Sequence, residues 1–139
     1  MNRPHLQMLA EERIRDSTAL LTASQWSGAY YLAGYALECA LKSCVLHHVE
    51  QSGIIFDDKR FSEKCWTHDL ELLVKLANLD VSRGAAIQAD PELGKNWLIA
   101  KDWSELSRYR LSTQQQSQLL YNAINDRTHG VLRWIKQNW

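Results

Sequence analysis

Residues 29–42, with the sequence AYYLAGYALECALK, constrain the fold more than any other segment. They are apolar on nearly every side, which is typical of a helix buried between other helices. Polar-tipped residues nevertheless recur at steps of four, three and four, and a helix places them on one stripe: Tyr31, Tyr35, Glu38 and Lys42. Because buried charges are costly unless they are paired and hydrogen-bonded, this stripe predicts either a structural polar network or a functional site.

The composition predicts an ordinary globular chain, with one domain covering residues 1–139. The formal net charge is zero, which excludes a global basic field that attracts nucleic acid but leaves room for a local basic patch. Three cysteines without framework spacing favour a reducing compartment, and the first residues lack the apolar core of a signal peptide. We therefore expect a cytoplasmic protein. The most apolar run, residues 29–46, is interrupted by Glu38 and Lys42, which predicts a core helix and no membrane span.

Hydrophobic spacing predicts helix along almost the whole chain, and the only two prolines stand at predicted helix starts. The expected fold is all-α, an up-and-down bundle of four to five helices. Two long helices form its centre, and a shorter third and a long last helix complete it. The four main helices are predicted at Leu6–Ser24, at Ser27–Gln51 with Ser27 as N-cap and Gly53 as stop, from Thr67 onward, and at Thr113–Gln137. Short helices are expected around residues 85–89 and 92–101.

Four segments together resemble the HEPN domain, the nucleotide-binding domain shared by higher eukaryotes and prokaryotes. They are ALL at 19–21, AYYLAGYALECALK at 29–42, THDL at 67–70 and SRYR at 107–110, and the resemblance extends from about Arg13 to Trp139. It implies a bundle of four or five helices that is commonly dimeric, so a homodimer is expected. Many members are ribonucleases or toxins paired with a minimal nucleotidyltransferase antitoxin. Others are inactive and serve as RNA-binding or assembly domains.

The chain departs from the catalytic members of that family in the last predicted helix. Those members carry Arg, four to six residues and then His near its start, and no arginine and histidine here have that spacing. Arg127 and His129 are only two residues apart, so a helix would point them about 200° away from each other. The departure favours a non-enzymatic module.

Each residue of the stripe has a functional and a structural interpretation. Glu38 could hold or deprotonate a ligand group and Lys42 could contact phosphate, or the two could form an i,i+4 ion pair inside the bundle. Arg108 is an alternative partner for Glu38. Tyr31 and Tyr35 could stack on a base, or they could be core aromatics with satisfied hydroxyls.

Outside the stripe, His68 is the best single catalytic candidate, because imidazole exchanges protons near neutral pH and the residue is expected in the first turn of a helix. The alternative is a polar residue that caps this helix. Arg108, Tyr109 and Arg110 combine guanidinium groups with an aromatic ring, a pattern that suits RNA or a nucleotide, or else a salt-bridged connector. No complete metal-ligand set and no phosphate-binding glycine loop occur, so neither a metal nor a cofactor is expected.

Two hypotheses follow. In the first, the chain is a HEPN-like module of a toxin–antitoxin or defence system that binds RNA, a nucleotide or a partner such as a nucleotidyltransferase-type antitoxin. In the second, it is a toxin-like endoribonuclease that needs no metal. His68 then exchanges protons, Arg108 stabilises the phosphate, Glu38 orients them both, and the RNA 2′-hydroxyl is the nucleophile.

Overall fold

Every regular element of the chain is helical in the computed structural model, which describes residues 1–139. The α-helices are α1 (Arg3–Thr22), α2 (Trp26–Ser52), α3 (Phe61–Lys64), α4 (Leu70–Leu76), α5 (Asp80–Ala89), α6 (Pro91–Ala100), α7 (Gln114–Asn125) and α8 (Val131–Lys136). Two 3₁₀ turns lie at Ile54–Phe56 and Glu105–Tyr109. The all-α prediction is confirmed, but eight α-helices exceed the expected four to five.

The long helix α2 is the centre of the fold. It forms a hairpin with α1 and also packs against α4, α7, α8 and the second 3₁₀ turn. Its buried residues include Ala33, Ala36 and Ala40, whose small side chains let neighbouring helices approach closely, and Leu37 and Leu41, which are fully buried. The prediction that residues 29–42 form a helix buried among others is therefore correct.

The ends of α2 follow different rules. Gly53 ends the helix with φ of 66°, the left-handed conformation that glycine adopts without strain, and this predicted stop is confirmed. The predicted N-cap at Ser27 is wrong, because Gln25 occupies that position and makes no side-chain cap hydrogen bond. Ser27 Oγ instead accepts a hydrogen bond from the backbone N–H of Ser112 at 2.8 Å. A side chain that was expected to start the helix thus connects it to the segment before α7.

The helix expected from Thr67 begins at Leu70. Asp69 is its N-cap, and its carboxylate accepts a hydrogen bond from the Leu72 N–H at 3.1 Å. The Thr67 hydroxyl accepts one from the Asp69 N–H at 3.1 Å, so it shapes the turn before the helix. His68 therefore lies in this turn. The prediction that it lies in the first turn of a helix is wrong.

The predicted last helix is two helices separated by the turn Asp126–Gly130. The Asp126 carboxylate accepts hydrogen bonds from the backbone N–H groups of Thr128 at 2.9 Å and His129 at 2.6 Å. The turn itself requires Gly130, because a Cβ there would overlap the carbonyl oxygens of Asp126 and Ile124. Arg127 and His129 therefore do not lie in a helix, and the 200° separation predicted from helical geometry does not apply to them.

None of the helices combines the length and the apolar character that crossing a lipid bilayer requires.

Candidate functional site

Glu38 is a buried carboxylate in the middle of α2 with two side-chain partners. The residue is 2% exposed, and its Oε1 accepts a hydrogen bond from Lys42 Nζ at 2.8 Å. His68 Nδ1 lies 3.0 Å from both carboxylate oxygens. The i,i+4 ion pair is therefore present, and a residue 30 positions away in the sequence completes it. Arg108, the alternative partner, makes no ion pair or hydrogen bond with Glu38.

The contact with Glu38 fixes how His68 holds its protons. An ionised carboxylate can only accept hydrogen bonds, so Nδ1 must carry the hydrogen that it donates. Nε2 is then the nitrogen that remains without a partner in the protein, and the His68 side chain is 44% exposed. A carboxylate that orients an imidazole in this way leaves Nε2 ready to accept a proton and stabilises the imidazolium that results.

Tyr31 and Tyr35 continue the stripe toward the N-terminus of α2. Their rings are parallel to within 3°, with centroids 6.0 Å apart, and both residues are half-buried. Burial raises the pKa of Tyr35 above its ordinary value of 10.0, and Cys39 and Glu38 add to the rise. The Tyr35 hydroxyl is therefore protonated at neutral pH and can donate a hydrogen bond.

The connector between α6 and α7 brings Arg108 to the Tyr31 end of the stripe. Trp103 anchors this connector, because its ring lies directly on Gly34 of α2 and 6.1 Å from the ring of Tyr31. The Arg108 guanidinium carbon is 5.0 Å from the centroid of the Tyr109 ring. Tyr109 and then Tyr31 raise the pKa of Arg108 above its ordinary value, so the group is a permanent cation. It forms no ion pair.

The predicted site residues therefore occupy two ends of one surface. Glu38, Lys42 and His68 are grouped at one end, and Arg108 lies at the other with exposed Tyr109. Seven residues of helix separate Tyr31 from Glu38, or about 10 Å along the axis. Arg108 is thus not brought into contact with His68, because the two residues lie at opposite ends of this surface. We call the whole surface the polar stripe. It consists of the four stripe residues of α2 and three residues from other segments: Tyr31, Tyr35, Glu38, Lys42, His68, Arg108 and Tyr109. Arg110 is not part of it, because it lies beside Tyr30.

A second carboxylate–imidazole pair was not predicted. His129 Nδ1 lies 2.9 and 2.8 Å from the two oxygens of Asp90, the N-cap of α6. The hydrogen bond to Asp90 raises the pKa of His129, and the same bond lowers the pKa of Asp90. The partners are 39 residues apart, so no sequence spacing could have identified them. The pair connects the start of α6 to the turn before α8.

The cysteines offer no reactive site. Burial raises the pKa of Cys39 to about 11 and that of Cys44 to about 12, so both are neutral thiols at physiological pH. Cys65 is half-buried and also free, and burial raises its pKa. No group of three or more His, Cys, Asp or Glu side chains is close enough together to hold a metal ion.

Comparisons with protein-family models, with curated proteins and with solved structures found no match. The resemblance to the HEPN domain therefore stays a prediction. The geometry of the polar stripe is what supports a function for this chain.

Proposed function

We propose that this chain is a HEPN-like module that binds single-stranded RNA along the polar stripe. The observation that supports it is the order of groups on this surface. The cation Arg108 lies at one end, the parallel rings of Tyr31 and Tyr35 follow, and Lys42 and His68 lie at the other end. Proteins bind single-stranded nucleic acid in this way, with cations along the backbone and aromatic rings on which bases stack.

Arg108 is the anchor of the proposed interaction. It has no carboxylate partner, so its guanidinium can bind a phosphate with two parallel hydrogen bonds and break no ion pair. Tyr109 beside it is 75% exposed, and an exposed ring on a helical turn offers a base a stacking surface. At the other end, Lys42 Nζ donates one hydrogen bond to Glu38, and an ammonium has two further donors that can bind a phosphate.

The biological setting of the proposal rests on the family resemblance. A HEPN-like RNA-binding module would act in a toxin–antitoxin or defence-type system. A nucleotidyltransferase-type antitoxin is then the expected partner, and a homodimer is the expected assembly.

Fluorescence anisotropy with a labelled single-stranded RNA tests the binding proposal. We expect Arg108→Ala and Tyr31→Ala each to weaken binding about tenfold, since base stacking and charged hydrogen bonds each contribute roughly 1–3 kcal/mol. Arg15→Ala is the matched control, because it removes an exposed cation from α1 that is paired with Glu12. Absence of RNA binding, or an Arg108→Ala variant that binds like the unchanged protein, would overturn the proposal.

A second candidate function, metal-independent RNA cleavage, is favoured by the contact between Glu38 and His68. His68 Nε2 would accept the proton of an RNA 2′-hydroxyl while that oxygen attacks the adjacent phosphorus. The bond from phosphorus to the 5′-oxygen then breaks, a 2′,3′-cyclic phosphate forms, and the imidazolium returns its proton to the leaving 5′-oxygen. Glu38 stabilises the imidazolium, Lys42 is the nearest cation for the phosphate, and Arg108 holds the RNA further along the stripe.

Growth and cleavage assays separate the two functions. If the chain cleaves RNA, its induction alone should arrest a bacterial host, and the purified protein should generate 2′,3′-cyclic phosphate ends in the presence of a chelator. His68→Ala should remove both effects and leave the anisotropy measured with uncleavable 2′-deoxy-substituted RNA nearly unchanged. Normal growth with intact RNA, at a protein concentration that saturates binding, would exclude the cleavage function and leave the binding function.

A further inference from the structure

A small cavity lies beside the polar stripe, on the other side of the connector between α6 and α7. Its volume is about 150 Å³, and side chains of α2, the connector and α7 surround it. The lining residues that matter here are Tyr30, Asp102, Ser104, Ser107, Arg110 and Ser112. Water occupies roughly 30 Å³ per molecule, so this is space for about five waters or one small flat ring system.

Two side chains of opposite charge, Asp102 and Arg110, line this cavity. Neither Asp102 nor Arg110 forms an ion pair or a side-chain hydrogen bond within the chain. Both lie near the hydroxyl of Tyr30. Burial raises the pKa of Tyr30 above its ordinary value of 10.0, Asp102 adds to the rise, and Arg110 opposes it. The cavity therefore presents a carboxylate acceptor, a guanidinium donor and a protonated phenol.

The cavity wall also contains a buried hydroxyl that the fold does not satisfy. Ser107 is only 7% exposed, and its Oγ has no hydrogen-bond partner in the protein. Buried polar groups in folded proteins almost always have such a partner, so an unpaired one calls for an explanation. The Oγ lies behind the cavity surface in this structure, and rotation of the side chain about its Cα–Cβ bond would bring it to a polar ligand in the cavity.

The position of the cavity relates it to the polar stripe. Tyr30 immediately precedes Tyr31 on α2, and Arg110 follows Arg108 by two residues on the connector. The 3₁₀ turn Glu105–Tyr109 separates the two surfaces. An RNA strand whose phosphate is held by Arg108 therefore needs to turn only one base across this connector to reach the cavity.

We infer that the cavity binds the guanine base of a bound RNA, an inference that rests on the proposed RNA-binding function. Guanine presents two donors, N1–H and N2–H₂, to a carboxylate, and two acceptors, O6 and N7, to the fork of an arginine. Asp102 and Arg110, which both line the cavity, supply this complement. Adenine and cytosine instead direct a ring-nitrogen acceptor at the carboxylate, and uracil offers it only a single N–H.

The test compares two labelled oligouridine strands of equal length, one with a single central guanosine and one with a single central adenosine. We expect the guanosine strand to bind at least tenfold more tightly. Asp102→Asn should reduce this ratio to threefold or less and leave the affinity for the adenosine strand unchanged. Asp16→Asn is the control, because it neutralises a half-buried carboxylate on α1 that is paired with Arg13, and circular dichroism verifies that each variant is folded.

The outcomes distinguish this inference from the proposal on which it rests. Equal binding of the two strands by the unchanged protein overturns the guanine site and leaves the RNA-binding function intact. If neither strand binds, the RNA-binding function fails. Calorimetric titration with free guanosine then shows whether the cavity binds guanine in the absence of RNA binding. Titration with glycine completes the test, because binding of this zwitterion without binding of guanosine would overturn the inference as well.

Discussion

At the scale of single residues, the central feature is the carboxylate of Glu38. The sequence pointed to it, because a charge at steps of three and four from other polar groups is conspicuous on an otherwise apolar helix. It also pointed to Lys42, four residues further along the same helix. It could name His68 only as a separate candidate, since the turn that brings the two together depends on how α4 packs on α2. The sequence therefore identified both Glu38 and His68 as candidates, but it could not predict the contact between them.

We predict that Glu38→Ala lowers the free energy of unfolding by about 3 kcal/mol. The substitution removes a buried group together with its two charge-assisted hydrogen bonds, and the loss stays at the low end of the usual range because Lys42 and His68 can turn toward water. Chemical unfolding in urea measures it.

Glu38→Gln is the companion variant, because glutamine keeps the shape of the side chain and one acceptor oxygen but removes the charge. We expect it to lose about 1 kcal/mol of stability, the worth of a typical hydrogen bond. Equal losses for the two variants would show that the charge stabilises the fold, and a negligible loss for both would contradict a stabilising role.

At the scale of elements, the sequence predicted helices well and their interruptions poorly. Leu120, Ile124, Val131 and Ile135 are all buried and keep nearly helical spacing across the break between α7 and α8, so periodicity alone indicates one continuous helix. The turn depends on Asp126, whose carboxylate binds the backbone N–H groups that follow it. Such local side-chain hydrogen bonds compete with the helix and leave no mark on the hydrophobic pattern.

Gly34 fixes the connector to α2, and we predict that Gly34→Ala destabilises the protein by about 1–3 kcal/mol. A methyl group at this position would overlap the ring of Trp103, and overpacking of a tight contact typically has this cost. At a solvent-exposed position within a helix, replacing glycine by alanine would instead stabilise the protein.

Urea unfolding measures the effect of Gly34→Ala, and Gly84→Ala provides the control. Gly84 lies in α5, and a Cβ there would meet no neighbouring atom. We also expect Gly34→Ala to weaken RNA binding, since Trp103 positions the segment that carries Arg108. A stability equal to that of the Gly84→Ala variant would contradict the close contact.

The pair of His129 and Asp90 should make stability depend on pH. The pKa of His129 is raised, so its contribution is fully present below the ordinary value of 6.5 and is lost as pH rises through the raised pKa. The pKa of Asp90 is lowered, so its contribution is present above the ordinary value of 3.8 and is lost as pH falls through the lowered pKa. The pair therefore stabilises the fold most at pH values between the ordinary pKa values of the two groups, 3.8 for Asp90 and 6.5 for His129.

Urea unfolding of the unchanged protein and of His129→Gln from pH 5 to pH 8 tests this expectation. The difference in unfolding free energy should be largest at the acidic end of this range and should shrink toward pH 8. Asp126 and Glu92 also raise the pKa of His129, and partial loss of solvent around the ring lowers it. A difference that stays constant, or that grows toward pH 8, would contradict a stabilising ion pair.

At the scale of the whole molecule, the sequence predicted the all-α class because its periodicity is helical throughout. It did not predict the assembly of the polar stripe, which joins segments around residues 31, 68 and 108. Contacts between segments so distant in sequence follow from the packing of α2 against α4 and the connector, and no local pattern encodes them. The expected homodimer stays a prediction that sedimentation equilibrium can test.

The zero net charge bears on how RNA binding should respond to salt. Only two cations, Lys42 and Arg108, are proposed to contact RNA phosphates, so binding should release few counterions. With about two phosphate contacts, the slope of log affinity against log salt concentration should be roughly −1.4. Anisotropy titrations at several salt concentrations measure it. A slope near zero would indicate that charge does not contribute, and a steep slope would indicate a much wider contact than this surface provides.

The separation of Tyr31 from Arg110 in the sequence has a consequence during biosynthesis. A ribosome adds roughly 5–20 residues per second, so the tyrosines emerge roughly 4–16 s before the connector that completes the surface. A growing chain therefore lacks the complete proposed RNA site during this interval, while it is still close to its own messenger RNA. The order of the segments along the chain therefore delays formation of the proposed RNA site until the connector between α6 and α7 has been synthesised.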